Sequence, residues 1–337
     1  MMNHPSSGEP QGSAGTGISE EQSSRSTPFP KGPAALFLVW NRIAPFFISA
    51  ALFLSGFFAL FSPLPFLIMG MTMPWGWLLA AIATNSAIVY FTSGPTVFQF
   101  YLLAVGLIGL VLPFFIRRRL SPESIVARTF IVQWATVGAL VGVYAVIHHT
   151  TLGMELSGIF SHFFDSLLAS LSPESREQLL SNFGGGDLGV EEWRRKTLAE
   201  LPGAIGILCI LLIWFSLRVL VNLNPGRFAS GLGLDRARLN QWKNAEWLIW
   251  PTIASWAVVL FSEGVPSEIG LNIFKICMAA YGLQGLSVMG SAFDAYRVQS
   301  FVRILIYSLV ILLLMPLLLS IGFFDQWFDF RSKFRQT

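Results

Sequence analysis

Eight stretches of the chain, 43–61, 75–91, 97–116, 125–147, 201–222, 246–262, 269–290 and 299–322, are apolar almost end to end. Each approaches the ~20 residues that an α-helix needs to cross a hydrocarbon layer. Backbone in lipid must satisfy its own hydrogen bonds, so runs of this length predict helices. The expected fold is all-α, a polytopic transmembrane helix bundle of eight long helices. Composition agrees, because only 12% of the 337 residues are charged, against roughly 25% in a water-soluble domain.

Between the first two runs lies "PLPFLIMGMTMP", bracketed by prolines and too short for an ordinary span. It predicts a short or re-entrant helix packed among the others. If it crosses, the chain makes nine crossings; if not, eight. Residues 1–33 are rich in Ser, Gly and Pro and lack apolar periodicity, which predicts a disordered tail. They do not read as a signal peptide, since no charged start leads into a short apolar stretch. The rest divides into helices over 34–147, a hydrophilic insert over 148–200, and further helices with an interfacial tail over 201–337.

Within the insert, Leu156, Ile159, Phe160, Phe163, Phe164, Leu167 and Leu171 recur at helical spacing, which predicts an amphipathic helix lying in the interface. A second helix is expected from Pro173 to about Phe183, and a third, "VEEWRRKTLAE", leads into the next span. "LSPES" occurs at Leu120–Ser124 and again at Leu171–Ser175. Each copy is a helix start, with a Ser cap, Pro at the first position and Glu at the positive end.

Lys and Arg set the orientation. Eleven fall in 117–128, 218–243 and 292–303, and seven fall in 148–200 and after 322. The first set is therefore expected on the cytoplasmic side of the membrane. A formal net charge of +3 gives no electrostatic footprint for nucleic acid. Cys209 and Cys277 sit within apolar runs, as small buried hydrophobes without a disulfide or metal role. Neighbouring His148 and His149 point about 100° apart on a helix and do not converge on a metal. "EEWRRK" at Glu191–Lys196 is similar to the paired glutamates of intramembrane prenyl-protein proteases, but Lys196 stands where that motif has Arg. A solvated helix face is the expected reading. No phosphate-binding loop, nucleophile elbow or zinc-protease motif is present, and neither enzyme chemistry nor a cofactor is expected.

Polar residues inside spans are the candidates for function. Lys275 costs about 3 kcal/mol at the centre of a bilayer. Asn272 stands one turn before it, and Gln284 is further along the same helix. The three are candidate ligand-binding residues of a polar cavity, weakly favouring an anion; the alternative is that Lys275 snorkels to the nearer surface. Asn85, Gln99 and Gln133 face the same interior or act as inter-helix contacts. Ala51, Ser55 and Ala59 line one face of the first helix, and Gly138 and Gly142 form GxxxG. Both patterns are expected at helix contacts. In the closing "GFFDQWFDFRSKFRQT", the aromatics suit headgroup depth and the basic residues suit lipid phosphates. Asp325, Trp327, Asp329 and Arg331 are the expected interfacial anchor, or alternatively part of a docking peptide.

The C-terminal half resembles the YybS-like family of predicted bacterial membrane proteins, a domain of unknown function. The resemblance rests on "ELPGAIGILCILLIWFSLRVLVN", "WKNAEWLIWP", "YGLQGLSVMG" and "IGFFDQWFDFRSKF". Gln284-Gly285 and Asp325…Asp329-Phe330-Arg331 are its most specific parts, and "FSPLPFLIMGM" fits the family's start. That family is similar in layout to the substrate-binding components of energy-coupling-factor vitamin transporters, and to the cell-shape protein of the Mre system. The binding components dock a transmembrane partner through small residues on their first helix, a spacing that Ala51, Ser55 and Ala59 match. The resemblance implies a non-enzymatic small-molecule binding or transport component lacking its own ATPase. The lipid bilayer, a transmembrane partner subunit or an ATPase module are its expected partners. The alternative is a structural or scaffolding protein of the cell envelope.

Overall fold

The computed structural model describes residues 43–147, 168–184, 190–223 and 236–334, with isolated positions between them. The tail 1–33 and six of the seven apolar residues of the amphipathic helix expected over 156–171, all but Leu171, lie outside the described residues. Ile43–Thr337 form one compact unit. Every regular element among the described residues is helical.

The first helices are α1 (Pro45–Leu54), α2 (Leu64–Thr72) and α3 (Trp75–Tyr101). A π-turn over Leu102–Gly106 leads into α4 (Leu107–Arg117), followed by α5 (Pro122–Ile147). Then come α6 (Pro173–Gly184), α7 (Val190–Leu223) and the short α8 (Arg236–Asn240). The chain ends with α9 (Ile249–Phe261), α10 (Val265–Ala295), α11 (Ser300–Leu313), α12 (Met315–Phe328) and α13 (Phe330–Phe334). Pro122 and Pro173 open α5 and α6, as the two "LSPES" copies predict. The third insert helix is continuous with the following span, within α7.

Among the described residues, four helical stretches are long and apolar enough to cross a membrane: Trp75–Arg117, Pro122–Ile147, Arg195–Leu223 and Val265–Ala295. A fifth is α11 with α12, if that pair, bent by 100°, counts as one span. The first stretch is 43 residues long, but Gly94 breaks it with φ 84° and ψ 177°. Residue pairs on either side of Gly94 then face each other. Gly106 lies against Ile82, and the rings of Tyr90 and Phe98 are 5.7 Å apart.

Other expected long helices are shorter than their apolar runs. The run 43–61 stops at Leu54 and turns at Gly56, where φ is 68°. The run 246–262 is α9 after one turn of 3-10 helix. The run 299–322 is two 14-residue helices, because Pro316 removes an amide from the ladder and the chain bends there. The proline-bracketed α2 is a core element, with Leu64, Phe66, Leu67 and Met69 buried. Arg117 donates to the carbonyls of Gly70 and Met73, capping its C-terminal end.

Candidate functional site

Two polar sites flank the segment Leu239–Asn244, which begins in the last residues of α8 and lies against α10. The first is a cavity of about 210 Å³ lined by Trp214, Arg218, Asn240, Leu286, Ser287, Tyr307 and Ile311. α7 supplies Trp214 and Arg218 one turn apart, and α11 supplies Tyr307 and Ile311 one turn apart. The Arg218 guanidinium donates to Asn240 Oδ1 at 2.9 Å. The Asn240 amide donates in turn to Asp294 at 2.6 Å, and Arg303 pairs with the same carboxylate at 2.5 Å. Ser287 and Ser291 hold the segment's backbone, donating to the carbonyls of Leu239 and Asn240. The buried Trp214 Nε1 has no acceptor among the described residues.

The second site is a buried junction centred on Gln284, which is fully buried. Its Oε1 accepts from the Asn244 amide at 2.9 Å, and its Nε2 donates to Asp325 Oδ2 at 2.9 Å. Arg331 donates to the same Asp325 oxygen at 3.1 Å and to the Trp242 carbonyl. The other Asp325 oxygen accepts from the Phe330 amide at 3.0 Å. Asp329 makes this possible: it ends α12 at φ 39°, ψ 62°, and this left-handed residue turns α13 back toward Asp325. The helices themselves are in close contact, since a Cβ on Gly322 would lie 1.8 Å from the Tyr281 carbonyl oxygen.

The model of one family, described as predicted membrane protein (DUF2232), matches residues 43–326. The chain belongs to this DUF2232 family. No curated protein and no solved structure matches it. The matched stretch contains the cavity and all of the junction except Asp329, Phe330 and Arg331.

In this DUF2232 chain the three expected ligand residues do not converge. Nine to twelve positions separate Gln284 from Lys275 and Asn272 along one helix, or about 14–18 Å at 1.5 Å per residue. Asn272 is a helix stitch. Its Oδ1 accepts from the Gly203 amide at 2.6 Å, while its Nδ2 donates to the Ala199 carbonyl at 2.7 Å. These are the two groups that a regular helix would pair with each other. Next to them is Pro202, which also removes a ladder bond, so the amide of Asn272 bridges a weakened turn of α7. Lys275 pairs with Glu200 at 2.7 Å and is about one-third exposed.

The expected small-residue face of the first helix is interrupted, because Ala59 lies beyond the Gly56 turn. Ala51 and Ser55 are exposed. Gly138 has open space around it, so it makes no close helix contact within the described residues. Gly142, one turn on in α5, is partly buried. Asp325 and Arg331 are buried rather than turned outward as anchors, whereas Trp327 and Asp329 are exposed. Asn85 and Gln133 are buried contacts: Asn85 binds the backbone of α1, and Gln133 donates to the Leu103 carbonyl in the π-turn. Gln99 is exposed.

The residues that sequence reasoning passed over are Arg218, Asn240 and Asn244. Arg218 counted only toward loop charge, although it sits within "FSLRVLVN", an otherwise apolar run. That placement was the available signal.

Proposed function

We propose that the chain is the membrane-embedded binding component of a transport system for a small anionic molecule. The observation that carries this reading is the cavity where Arg218, Asn240 and Ser287 meet at the edge of an apolar bundle. The Arg218 guanidinium gives one N–H to Asn240 but carries five donors and a permanent positive charge, which suits a carboxylate or phosphate. Translocation would draw its energy from a separate ATPase module or a transmembrane partner subunit. The accompanying location is the bacterial cytoplasmic membrane, with the basic 218–243 and 292–303 loops inside.

The test is mass spectrometry of small molecules extracted from protein purified out of its native membrane. An anionic compound that is present with wild type and depleted about tenfold in Arg218→Gln supports the reading. Identical extracts from both proteins overturn it. The scaffold reading keeps one observation of its own, since Lys275 and Gln284 are tied into helix contacts. Co-purified cell-wall or division proteins, with no bound small molecule, would favour it.

A further inference from the structure

The cavity beside Arg218 is graded along the helix axes. On α7, Arg218 binds Asn240, and Trp214 lies one turn earlier. On α10, Asp294 binds both Asn240 and Arg303 near the helix end, so that end marks the polar level. α11 starts from this level and presents Tyr307, then Ile311 one turn further on. Both walls therefore shift from polar to apolar in the same direction, over about 6 Å.

Size adds a second constraint. About 210 Å³ is below the ~300 Å³ at which ligand pockets usually begin. It accommodates a head group and leaves a longer molecule partly outside. The outer wall is α11, which has no buried residue. Ile304, Leu305, Leu312 and Leu313 on it are all more than 60% exposed, the surface expected of a helix facing lipid tails.

Building on the anion-binding reading, we infer that the occupant is an amphiphile. Its anionic head binds at Arg218 and Asn240, and its apolar chain passes Trp214 and Ile311 and leaves along α11. Arg218 anchors the head through charge-assisted hydrogen bonds, and Ile311 selects for the chain.

The test is native mass spectrometry of the full chain in detergent, titrated with phosphatidylglycerol, phosphatidylcholine or sn-glycerol 3-phosphate. Wild type is expected to bind phosphatidylglycerol about tenfold more tightly than phosphatidylcholine, a preference that Arg218→Gln abolishes. Ile311→Gln, on a helix without buried residues, keeps the fold and weakens phosphatidylglycerol binding several-fold. An anionic preference unchanged in Arg218→Gln removes the head from this cavity and overturns both readings. If glycerol phosphate binds as tightly as the lipid and Ile311→Gln has no effect, the occupant is a water-soluble anion. That result sinks the amphiphile and spares the anion-binding site.

Discussion

Asp325 and Arg331, six residues apart across a left-handed turn, form an ion pair buried at the meeting of α10, α12 and the Trp242–Asn244 segment. The side chain of Asp325 is 1% exposed and that of Arg331 8%. At such depth a charge is tolerated because partners surround it: Asp325 accepts from Gln284, Arg331 and the Phe330 amide. Removing one member leaves the other charge stranded, which typically costs about 3–5 kcal/mol. Arg331→Met should therefore lower the unfolding midpoint in detergent strongly. Asp325→Asn combined with Arg331→Met should recover much of the loss, because neither charge then remains. Equal midpoints for the single and double variants would show that the pair is not what holds the tail.

This junction also shows how much was legible in the sequence. Gln284, Asp325 and Arg331 stood out individually by residue type, yet 41 positions separate Gln284 from Asp325. Apolar periodicity reports which face of a helix is buried and not which helix covers it. The aromatics around Asp325 suggested a membrane surface. What decides its burial is the turn at Asp329 and the close helix approach at Gly322, neither of which has a periodic signature. By contrast, the helical class and the helix starts at Pro122 and Pro173 were readable, because they depend on local composition and capping. The cavity was less so: Arg218 and Asn240 meet across 22 positions, through a stretch whose polarity reads as an ordinary loop.

Glycine contacts make a matched pair of tests. A Cβ on Gly322 meets backbone atoms of Tyr281 and Gly285, and one on Gly285 meets the Leu318 carbonyl at 2.3 Å. Backbone cannot rotate away as a side chain can, so Gly322→Ala forces α10 and α12 apart. The expected cost is about 3 kcal/mol or more, at the upper end for overpacking. Gly138→Ala meets open space and gains helix propensity, so it should be neutral or stabilising by up to about 1 kcal/mol. Thermal unfolding of both variants should separate them clearly; equal effects would contradict the helix crossing.

Asn272 and Lys275 should prove structural. Asn272→Leu leaves the Gly203 amide and the Ala199 carbonyl without the side chain that joins them. Each unsatisfied group costs about 1–3 kcal/mol. Lys275→Met removes a partly exposed pair with Glu200, worth at most about 1 kcal/mol. Neither change should alter anion binding at the Arg218 cavity once the protein is folded. Loss of binding in Lys275→Met without loss of stability would return the ligand site to this helix.

Gly94 governs how the 43-residue stretch from Trp75 to Arg117 is used. Its φ of 84° with ψ of 177° is a conformation that essentially only glycine adopts without strain. Pro95 follows and disfavours the helical region for the residue before it, so the two residues together turn the chain. That reversal sets Ile82 against Gly106 and Tyr90 beside Phe98. Space is not the constraint, since a Cβ at Gly94 would meet nothing within 4 Å. Gly94→Ala should therefore destabilise through the backbone alone, by about 1–3 kcal/mol. The packing consequence can be read separately with cysteines at Tyr90 and Phe98, whose side chains meet across the turn. Crosslinking between them should be efficient with Gly94 and reduced in Gly94→Ala. Full crosslinking with unchanged stability in the alanine variant would mean that Pro95 alone makes the turn.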